Sequence, residues 1–280
     1  MSCFLLLDNG SLRADATKRL RQLAHDLSLK SGQKIHPVSL QHADKISVVE
    51  LDDQAAQILT SFIRQRLALG DHHFIILPLF FGESRALTSF VVSEVESLIE
   101  EFADLRVDIA DVLYPLPEGE PRLVDIVYDN ILVAAKQKNY PLKNIIVVDH
   151  GSPVARVTAV RKHIVEQLQQ RFSTQIDQAV MERREGAEYD FNGALLEDCL
   201  LKKAISGETT AIVSLLFLLA GRHAGKGGDI TEICERVMRK YPSFHIVISP
   251  LVSEHETLIS ILYERLKNFN QLYCTKMMQK

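Results

Sequence analysis

Three side chains that could bind a divalent metal follow predicted strands in the second half of this 280-residue chain: His150, Glu182 and His223. His150 ends an apolar, β-branched run and precedes Gly151, which permits a sharp turn into a helical pattern. Ligands of open α/β sheets bind beyond the carboxyl ends of parallel strands, which lie about 4.8 Å apart, so we expect these side chains to converge. Two imidazoles and a carboxylate suit cobalt, nickel, iron or zinc.

A histidine after a strand is often only part of a turn, and a short motif such as Asp-His-Gly-Ser also arises by chance. Two histidines at comparable strand ends of one domain, together with a carboxylate, favour a functional site, because titratable groups gather in functional clefts. Neutral imidazole is also a suitable proton acceptor near physiological pH.

Strands alternate with helices along the whole chain, in the order that produces parallel sheets with right-handed crossovers. Apolar runs predict strands over 4–7, 34–40, 74–81, 107–112, 144–148, 176–181, 210–219 and 244–249. Helical patterns cover 13–29, 52–69, 87–102, 122–138, 154–171, 194–205, 229–240 and 256–269. We therefore predict an α/β fold with two similar domains, each a four-stranded parallel sheet with helices on both faces.

An internal repeat relates the two halves of the chain. Asp8-Asn9-Gly10-Ser11 aligns with Asp149-His150-Gly151-Ser152 at a separation of 141 positions, which also aligns Gln41 with Glu182. A separation of 137 positions aligns Ala86 with His223. The first half therefore has neither histidine, and its site is predicted to be degenerate.

The repeat also predicts the domain organisation. One domain is expected over residues 1–140 and the other over residues 141–280, related by a pseudo-two-fold axis with a cleft between them. The chain is expected to be a monomer whose repeat resembles a dimer.

Composition and charge exclude several classes of partner. The net charge of −4, without a basic run, predicts binding to neither nucleic acid nor an anionic membrane. The longest apolar stretch, residues 211–220, is about half of a membrane span. Four cysteines without a C-x-x-C pair suit a reducing cytoplasm, and no Rossmann or Walker motif predicts a nucleotide.

Two motifs together resemble those of the sirohydrochlorin chelatases, the class II cobalt, iron and nickel chelatases of siroheme and cobalamin synthesis. They are Val148-Asp149-His150-Gly151-Ser152 and Leu216-Phe217-Leu218-Leu219-Ala220-Gly221-Arg222-His223. The resemblance extends over both halves as a repeat pattern. It implies ATP-independent insertion of Co, Fe or Ni, as substrate, into a tetrapyrrole, with no organic cofactor. It also implies that His150 and His223 bind the metal and take up pyrrole protons, with Glu182 at the position of the family acid. Many two-repeat members keep their histidines in the first half, where this chain has Asn9 and Ala86.

A carboxylate-rich macrocycle would need backbone N–H groups and cations around the metal site. Helix starts are predicted near Ser11, Ser152 and residues 227–229. The predicted substrate contacts are Asn9, Ser11, Ser152, Arg156, Arg222, Lys226 and His255.

Two alternatives remain open at this point. The first is a ferrochelatase of heme synthesis, although the second histidine, His223, argues against it. The second is a protein that binds metal or tetrapyrrole for delivery without catalysis, which the degenerate first half permits.

Overall fold

The computed structural model describes residues 2–278, with side chains described through residue 269, and contains two parallel sheets. The strands are β1 (Ser2–Asp8), β2 (Ile35–Ser39), β3 (His73–Pro78), β4 (Arg106–Ile109), β5 (Ile145–Asp149), β6 (Asp177–Val180), β7 (Ala194–Leu195), β8 (Thr210–Leu215) and β9 (His245–Ile248). Their order is β2-β1-β3-β4 in one sheet and β7-β6-β5-β8-β9 in the other. The predicted α/β fold with two parallel sheets is confirmed.

Helices flank both sheets. They are α1 (Ala14–Ser31), α2 (Leu59–Leu67), α3 (Val92–Glu101), α4 (Pro121–Lys138), α5 (Ala155–Phe172), α6 (Leu196–Ile205), α7 (Asp229–Lys240) and α8 (Thr257–Met278). A π-helical turn, Ala86–Val91, leads into α3. Within the described residues, no helix combines the length and the apolar composition that crossing a membrane requires.

The apolar spacing of the sequence explains which faces are buried. In α1, Leu20, Leu23 and Leu27 recur every three to four residues and are almost fully buried. Three successive residues of β1, from Leu5 to Leu7, are fully buried, as expected for a strand covered on both faces.

The second sheet has five strands, so the prediction of four was wrong for this half. The additional strand, β7, pairs Ala194 with Ala179 and Leu195 with Val180. The sequence predicted a helix from Ala194 and no strand. A strand of two residues cannot be recognised, because it is too short to show an alternation of apolar and polar side chains. In the first half the equivalent contact is a single parallel bridge between Ser39 and Ile58.

The two compact units of the chain do not coincide with the two sequence repeats. The first unit contains residues up to Pro115 together with those from Glu256 onward, and the second contains Leu116–His255. The helix that ends the first repeat, α4, packs on β8 and β9 in the second unit, and α8 packs on α1 and β3 in the first. A boundary near residue 140 therefore separates the repeats in sequence but not the compact units.

Each exchanged helix is anchored in its unit by a buried polar side chain. Asn130 of α4 donates to the carbonyl oxygens of Pro250 and Leu251, after β9. Arg265 of α8 donates to those of Val112 and Leu113, after β4, at 2.9 and 3.0 Å. These bonds satisfy backbone acceptors that would otherwise be buried without a donor.

Local hydrogen bonds confirm the internal repeat. Helices α1 and α5 each have 18 residues, and their bounds are separated by 141 positions. The hydroxyl of Ser11 accepts from Arg13 N at 3.1 Å, and that of Ser152 accepts from Val154 N at 3.0 Å. The helices begin at Ala14 and Ala155, one residue after the predicted bounds, so Ser11 and Ser152 lie in the turns before the helices and not at their first residues.

Candidate functional site

A close backbone contact brings His150 and Glu182 together. Gly151 has φ of +92°, and a Cβ at this position would lie 2.0 Å from the carbonyl oxygen of Glu182. Only glycine allows this approach of the two loops. The N–H of Glu182 donates to the carbonyl oxygen of His150 at 3.1 Å, which fixes the register between the loops.

At this edge of the second sheet, His150 contacts each of the other two predicted metal ligands. His150 Nε2 lies 3.3 Å from Glu182 Oε1, and the rings of His150 and His223 lie edge to face with centroids 4.6 Å apart. The Nδ1–H of His150 donates to the carbonyl oxygen of Gly151 at 3.1 Å. That bond leaves Nε2 of His150 as the nitrogen that faces Glu182.

Asp229 orients the second histidine. Its Oδ2 accepts from Nδ1 of His223 at 2.6 Å, so Nε2 of His223 is the nitrogen available to a metal. Asp229 is the first residue of α7, where the helix dipole stabilises a carboxylate. The sequence pattern had placed Asp229 only at a predicted helix start. An acidic residue shortly after a candidate ligand histidine was the available signal.

A buried polar network supports the turn that carries His150. Asn192, only 1 % exposed, accepts from Ser152 N and from the hydroxyl of Thr158, both at 3.0 Å. Its amide donates to the carbonyl oxygen of Ser152 at 2.9 Å. Asn192 was not among the predicted site residues, since nothing in its local sequence indicates a distant partner.

Arg161 completes this network. Its guanidinium, on the buried face of α5 and 1 % exposed, donates to Asp149 Oδ1 and to the carbonyl oxygen of Asn192. Burial raises the pKa of Asp149, and the adjacent Arg161 opposes that rise. Arg161 thereby holds the residue before His150 and the segment before β7 in one arrangement. An arginine on the apolar face of a helical pattern was the signal.

The predicted substrate-binding residues of the second unit lie on several elements, and two of them share a loop with His223. Arg222 and Lys226 are exposed in the loop that carries His223, and Arg222 Nε lies 3.9 Å from Asp229 Oδ2. Arg156 is exposed in the first turn of α5. His255 lies against α4, with Nε2 3.4 Å from Asp129 Oδ2.

The backbone donor at Ser152 is not available to a substrate as predicted, because Asn192 accepts its N–H. Asn9 and Ser11 lie in the equivalent turn of the first unit.

The contacts among the predicted ligands are pairwise. Among the side chains described, through residue 269, no three His, Cys, Asp or Glu side chains are already arranged as a set of metal ligands. His150 is common to both pairs. Two ligands of a tetrahedral metal with bonds near 2.1 Å stand about 3.4 Å apart. The separation of 3.3 Å between His150 Nε2 and Glu182 Oε1 is close to that value.

A model of a known protein family matches most of the second half of the chain. The CbiX family model matches residues 144–269, which include His150, Glu182 and His223. No curated protein sequence matches the chain.

Solved structures share the fold. SirB from Bacillus subtilis with Fe3+ matches with a TM-score of 0.66 at 12% identity, over 95% of this chain and 94% of that one. The sirohydrochlorin chelatase SirB from Bacillus subtilis subspecies spizizenii in complex with cobalt gives 0.64 at 12% identity, over 95% and 94%. CbiX, the terminal enzyme for biosynthesis of siroheme in denitrifying bacteria, gives 0.52 at 15% identity, over 95% and 98%.

The family resemblance predicted from the two histidine motifs is therefore confirmed over residues 144–269. The structural matches extend the likeness in fold to nearly the whole chain.

Proposed function

We propose, from the CbiX-family segment at residues 144–269, that this protein inserts a divalent metal ion into a carboxylate-rich tetrapyrrole such as sirohydrochlorin. The reaction needs no ATP, and cobalt, iron or nickel is a substrate rather than a resident cofactor. The observation that carries the proposal is the edge-to-face pair of His150 and His223, each with Nδ1 held by an acceptor. That arrangement leaves two Nε2 atoms for one metal.

The histidines and Glu182 have two roles in this proposal. Nε2 of His150 and of His223 bind the incoming metal, with Glu182 as third ligand or proton acceptor. Two pyrrole N–H protons leave as the metal enters, and each must pass to a base. Neutral imidazole is suited to this step once the metal has moved to the macrocycle.

Cations beside the metal site select the macrocycle. Arg222, Lys226 and Arg156 are exposed side chains on the loops and helix that adjoin the histidines, and each can pair with a peripheral carboxylate. An apolar porphyrin edge would offer these groups no partner. We propose the remaining predicted contacts, Asn9, Ser11 and His255, as further contributors, and His255 as a weaker one, since it already lies against Asp129.

We propose that the protein is a cytoplasmic monomer and that its reaction belongs to siroheme or cobalamin synthesis. Cys3, Cys199 and Cys234 are free thiols, which supports a reducing compartment. The first repeat supplies no metal ligand at positions 9 and 86 and is proposed to be silent in the chemistry.

A competition experiment tests the function. Sirohydrochlorin and protoporphyrin are offered together with limiting Co2+, and metal insertion is followed by absorbance. We expect preferential metallation of sirohydrochlorin, weakened by added salt because the pairing is screened over about 8–10 Å. Preferential metallation of protoporphyrin would move the protein to heme synthesis.

The same time course separates an enzyme from a delivery protein. A chelatase accelerates insertion at catalytic concentration through many turnovers, whereas a delivery protein changes only an amount equal to its own. We expect many turnovers. The same measurement with Fe2+ and Ni2+ compares the insertion rates of the three metals.

A further inference from the structure

Two consecutive arginines follow Glu182 in the loop between β6 and β7, and their surroundings differ. Arg183 donates to Asp190 Oδ1 at 3.2 Å and to the carbonyl oxygen of Gly193 at 3.1 Å, at the far end of the same loop. Its guanidinium therefore closes the loop on itself. Arg184 forms no hydrogen bond or ion pair with any residue that the structure describes. Of the two cations, only Arg184 is available to a ligand.

Arg184 lies over the ring of Tyr189, with its guanidinium carbon 5.9 Å from the ring centroid. A guanidinium on an aromatic face is held by a cation–π interaction, and the N–H groups at its edge stay free for an acceptor. Arg184 is exposed, whereas Tyr189 is half-buried. The pair is therefore an oriented cation without an anionic partner in the described part of the chain.

Hydrogen bonds connect Tyr189 to the turn that carries His150. The side-chain amide of Asn192 donates to the carbonyl oxygen of Tyr189 at 3.1 Å and to that of Ser152 at 2.9 Å. Asn192 is almost fully buried, so both bonds lie inside the unit. The aromatic support of Arg184 and the turn of the first metal ligand are thus held by the same side chain.

The order of the strands places Arg184 and Arg222 on loops at opposite sides of His150. The strand before His150, β5, lies between β6 and β8 in the sheet. Arg184 follows β6, Arg222 follows β8, and both are exposed. Because neighbouring strands lie about 4.8 Å apart, the ends of β6 and β8 are separated by about 10 Å. The loops that carry the two cations therefore flank the metal site along the sheet edge.

The first unit has no cation at the equivalent position. The separation of 141 positions that aligns Gln41 with Glu182 places Ala43 at the position equivalent to 184. Ala43 is fully buried and packs with Ile46 and Leu51 in a small apolar cluster. The unit with the two histidines thus has an exposed arginine where the unit without them has a buried alanine.

We propose that Arg184 binds a peripheral carboxylate of the macrocycle on the side of the metal opposite Arg222, and that Tyr189 positions Arg184 for this contact. This role rests on the proposed function, because it requires a carboxylate-rich tetrapyrrole bound at His150. A guanidinium suits a carboxylate, since its planar N–H groups can donate to both oxygens. Cations on both sides of the site hold the centre of the macrocycle over the metal ligands.

Titration of metal-free sirohydrochlorin into the full chain, followed by the fluorescence of the macrocycle, measures this contact without metal insertion. Arg184→Gln should lower the affinity about fivefold, as expected for an exposed ion pair. Arg239→Gln removes the same charge from the last turn of α7, where Arg239 pairs with Glu235, and is the control with near wild-type affinity. Equal affinity in the wild type and in Arg184→Gln would overturn the proposal.

Substitutions of Tyr189 separate positioning from a merely structural role. Tyr189→Phe keeps the ring face and should keep wild-type affinity, whereas Tyr189→Leu should lose about two- to fivefold. In the Arg184→Gln background, Tyr189→Leu should have no further effect, because the ring acts through the arginine. An equal loss in both backgrounds would contradict the positioning role.

Metal insertion by the wild-type chain, measured in parallel, distinguishes this contact from the chelatase reaction. Macrocycle affinity that depends on Arg184, without insertion, supports the contact and contradicts the reaction. Insertion with an affinity that does not depend on Arg184 contradicts the contact alone. If the wild-type chain binds no macrocycle, both are overturned. Affinity for Co2+ without the macrocycle should be unchanged in Arg184→Gln, because Arg184 is not a metal ligand.

Discussion

His150 and Asn9 occupy equivalent turns whose backbones are nearly the same. A Cβ at Gly10 would meet the carbonyl oxygen of Gln41 at 1.8 Å, and one at Gly151 would meet that of Glu182 at 2.0 Å. The repeats therefore share the scaffold and differ in the side chains it presents. An imidazole in one turn and an amide in the other explain why metal chemistry is proposed for only one of them.

The paired histidines are expected to determine metal affinity. Replacing both His150 and His223 by Ala should weaken Co2+ binding by more than about 100-fold, since loss of even an outer partner of a ligand costs about 10–100-fold. Calorimetric titration measures the change, and Asn9→Ala, at the equivalent turn, is the control with near wild-type affinity. Affinity should also fall as pH is lowered, because protons compete with the metal for imidazole. An unaltered affinity in the double variant would place the metal elsewhere.

Asp229 is expected to act by positioning His223. Asp229→Asn should lower Co2+ affinity and metal insertion about 10-fold or more, because Nδ1 loses its ionised acceptor. Glu232→Gln removes the same charge from the first turn of α7 and serves as the control. Asp229→Glu should recover part of the loss. If both neutral variants behave alike, the effect belongs to the helix dipole and not to the contact with His223.

The buried Asp8 gives the fold a dependence on pH. Burial raises the pKa of Asp8 from 3.8 to about 6, so the folded chain holds this proton more tightly than the unfolded chain. The free energy of unfolding therefore falls as pH rises from about 4 to about 6, and the loss is complete above that range. Asp8→Asn should remove this slope and stabilise the fold at neutral pH by at most about 3 kcal/mol.

Urea unfolding of both proteins, below and above this range, measures the effect of Asp8→Asn. The same substitution at the equivalent Asp149 should destabilise, since it leaves Arg161 buried without its carboxylate. A variant–wild-type difference that does not change with pH would contradict the raised pKa.

Among the elements, the bounds of α5 could be predicted from the sequence, whereas the contacts of its buried arginine could not. Its apolar spacing predicted the helix to within one residue at each end, because that spacing is a local property. The partners of Arg161 could not be predicted, since Asp149 and Asn192 are brought to it only by folding. Glu182 and the two histidines could be predicted as ligands because each was expected to follow a strand. Asp229 and Asn192 were missed because their roles depend on contacts and not on residue type.

The pair of Arg161 with Asp149 should be essential to the second unit. Arg161→Leu, which copies the residue of the first unit, is expected to destabilise the protein by about 3–5 kcal/mol, because it leaves a buried carboxylate without its cation. Arg171→Leu, on the same helix, removes a surface pair with Asp125 and should cost at most about 1 kcal/mol. Urea unfolding measures both. Similar costs would show that burial of Arg161 is not the cause.

At the scale of the whole molecule, the main difference from expectation is the exchange of α4 and α8 between the units. The alternation of strands and helices gave no information on which sheet a terminal helix would cover. The choice depends on tertiary contacts, such as those of Asn130 with the residues after β9.

The exchange predicts which fragments fold. A fragment of residues 116–255 contains the whole second unit and should unfold cooperatively in urea, followed by circular dichroism. A fragment of residues 141–280 has the same number of strands but lacks α4 and should not. Cooperative folding of the second fragment, and not of the first, would show that α4 is dispensable.

The placement of α4 gives the first repeat a structural role that does not depend on metal binding. A gene shortened to its second repeat would still encode His150, Glu182 and His223, yet the protein would lose the helix that packs on β8 and β9. Each repeat completes the other, as in a domain-swapped homodimer whose two genes had fused. Under that arrangement the strand ends of one copy can change without loss of the other copy's fold, provided that its terminal helix stays in place.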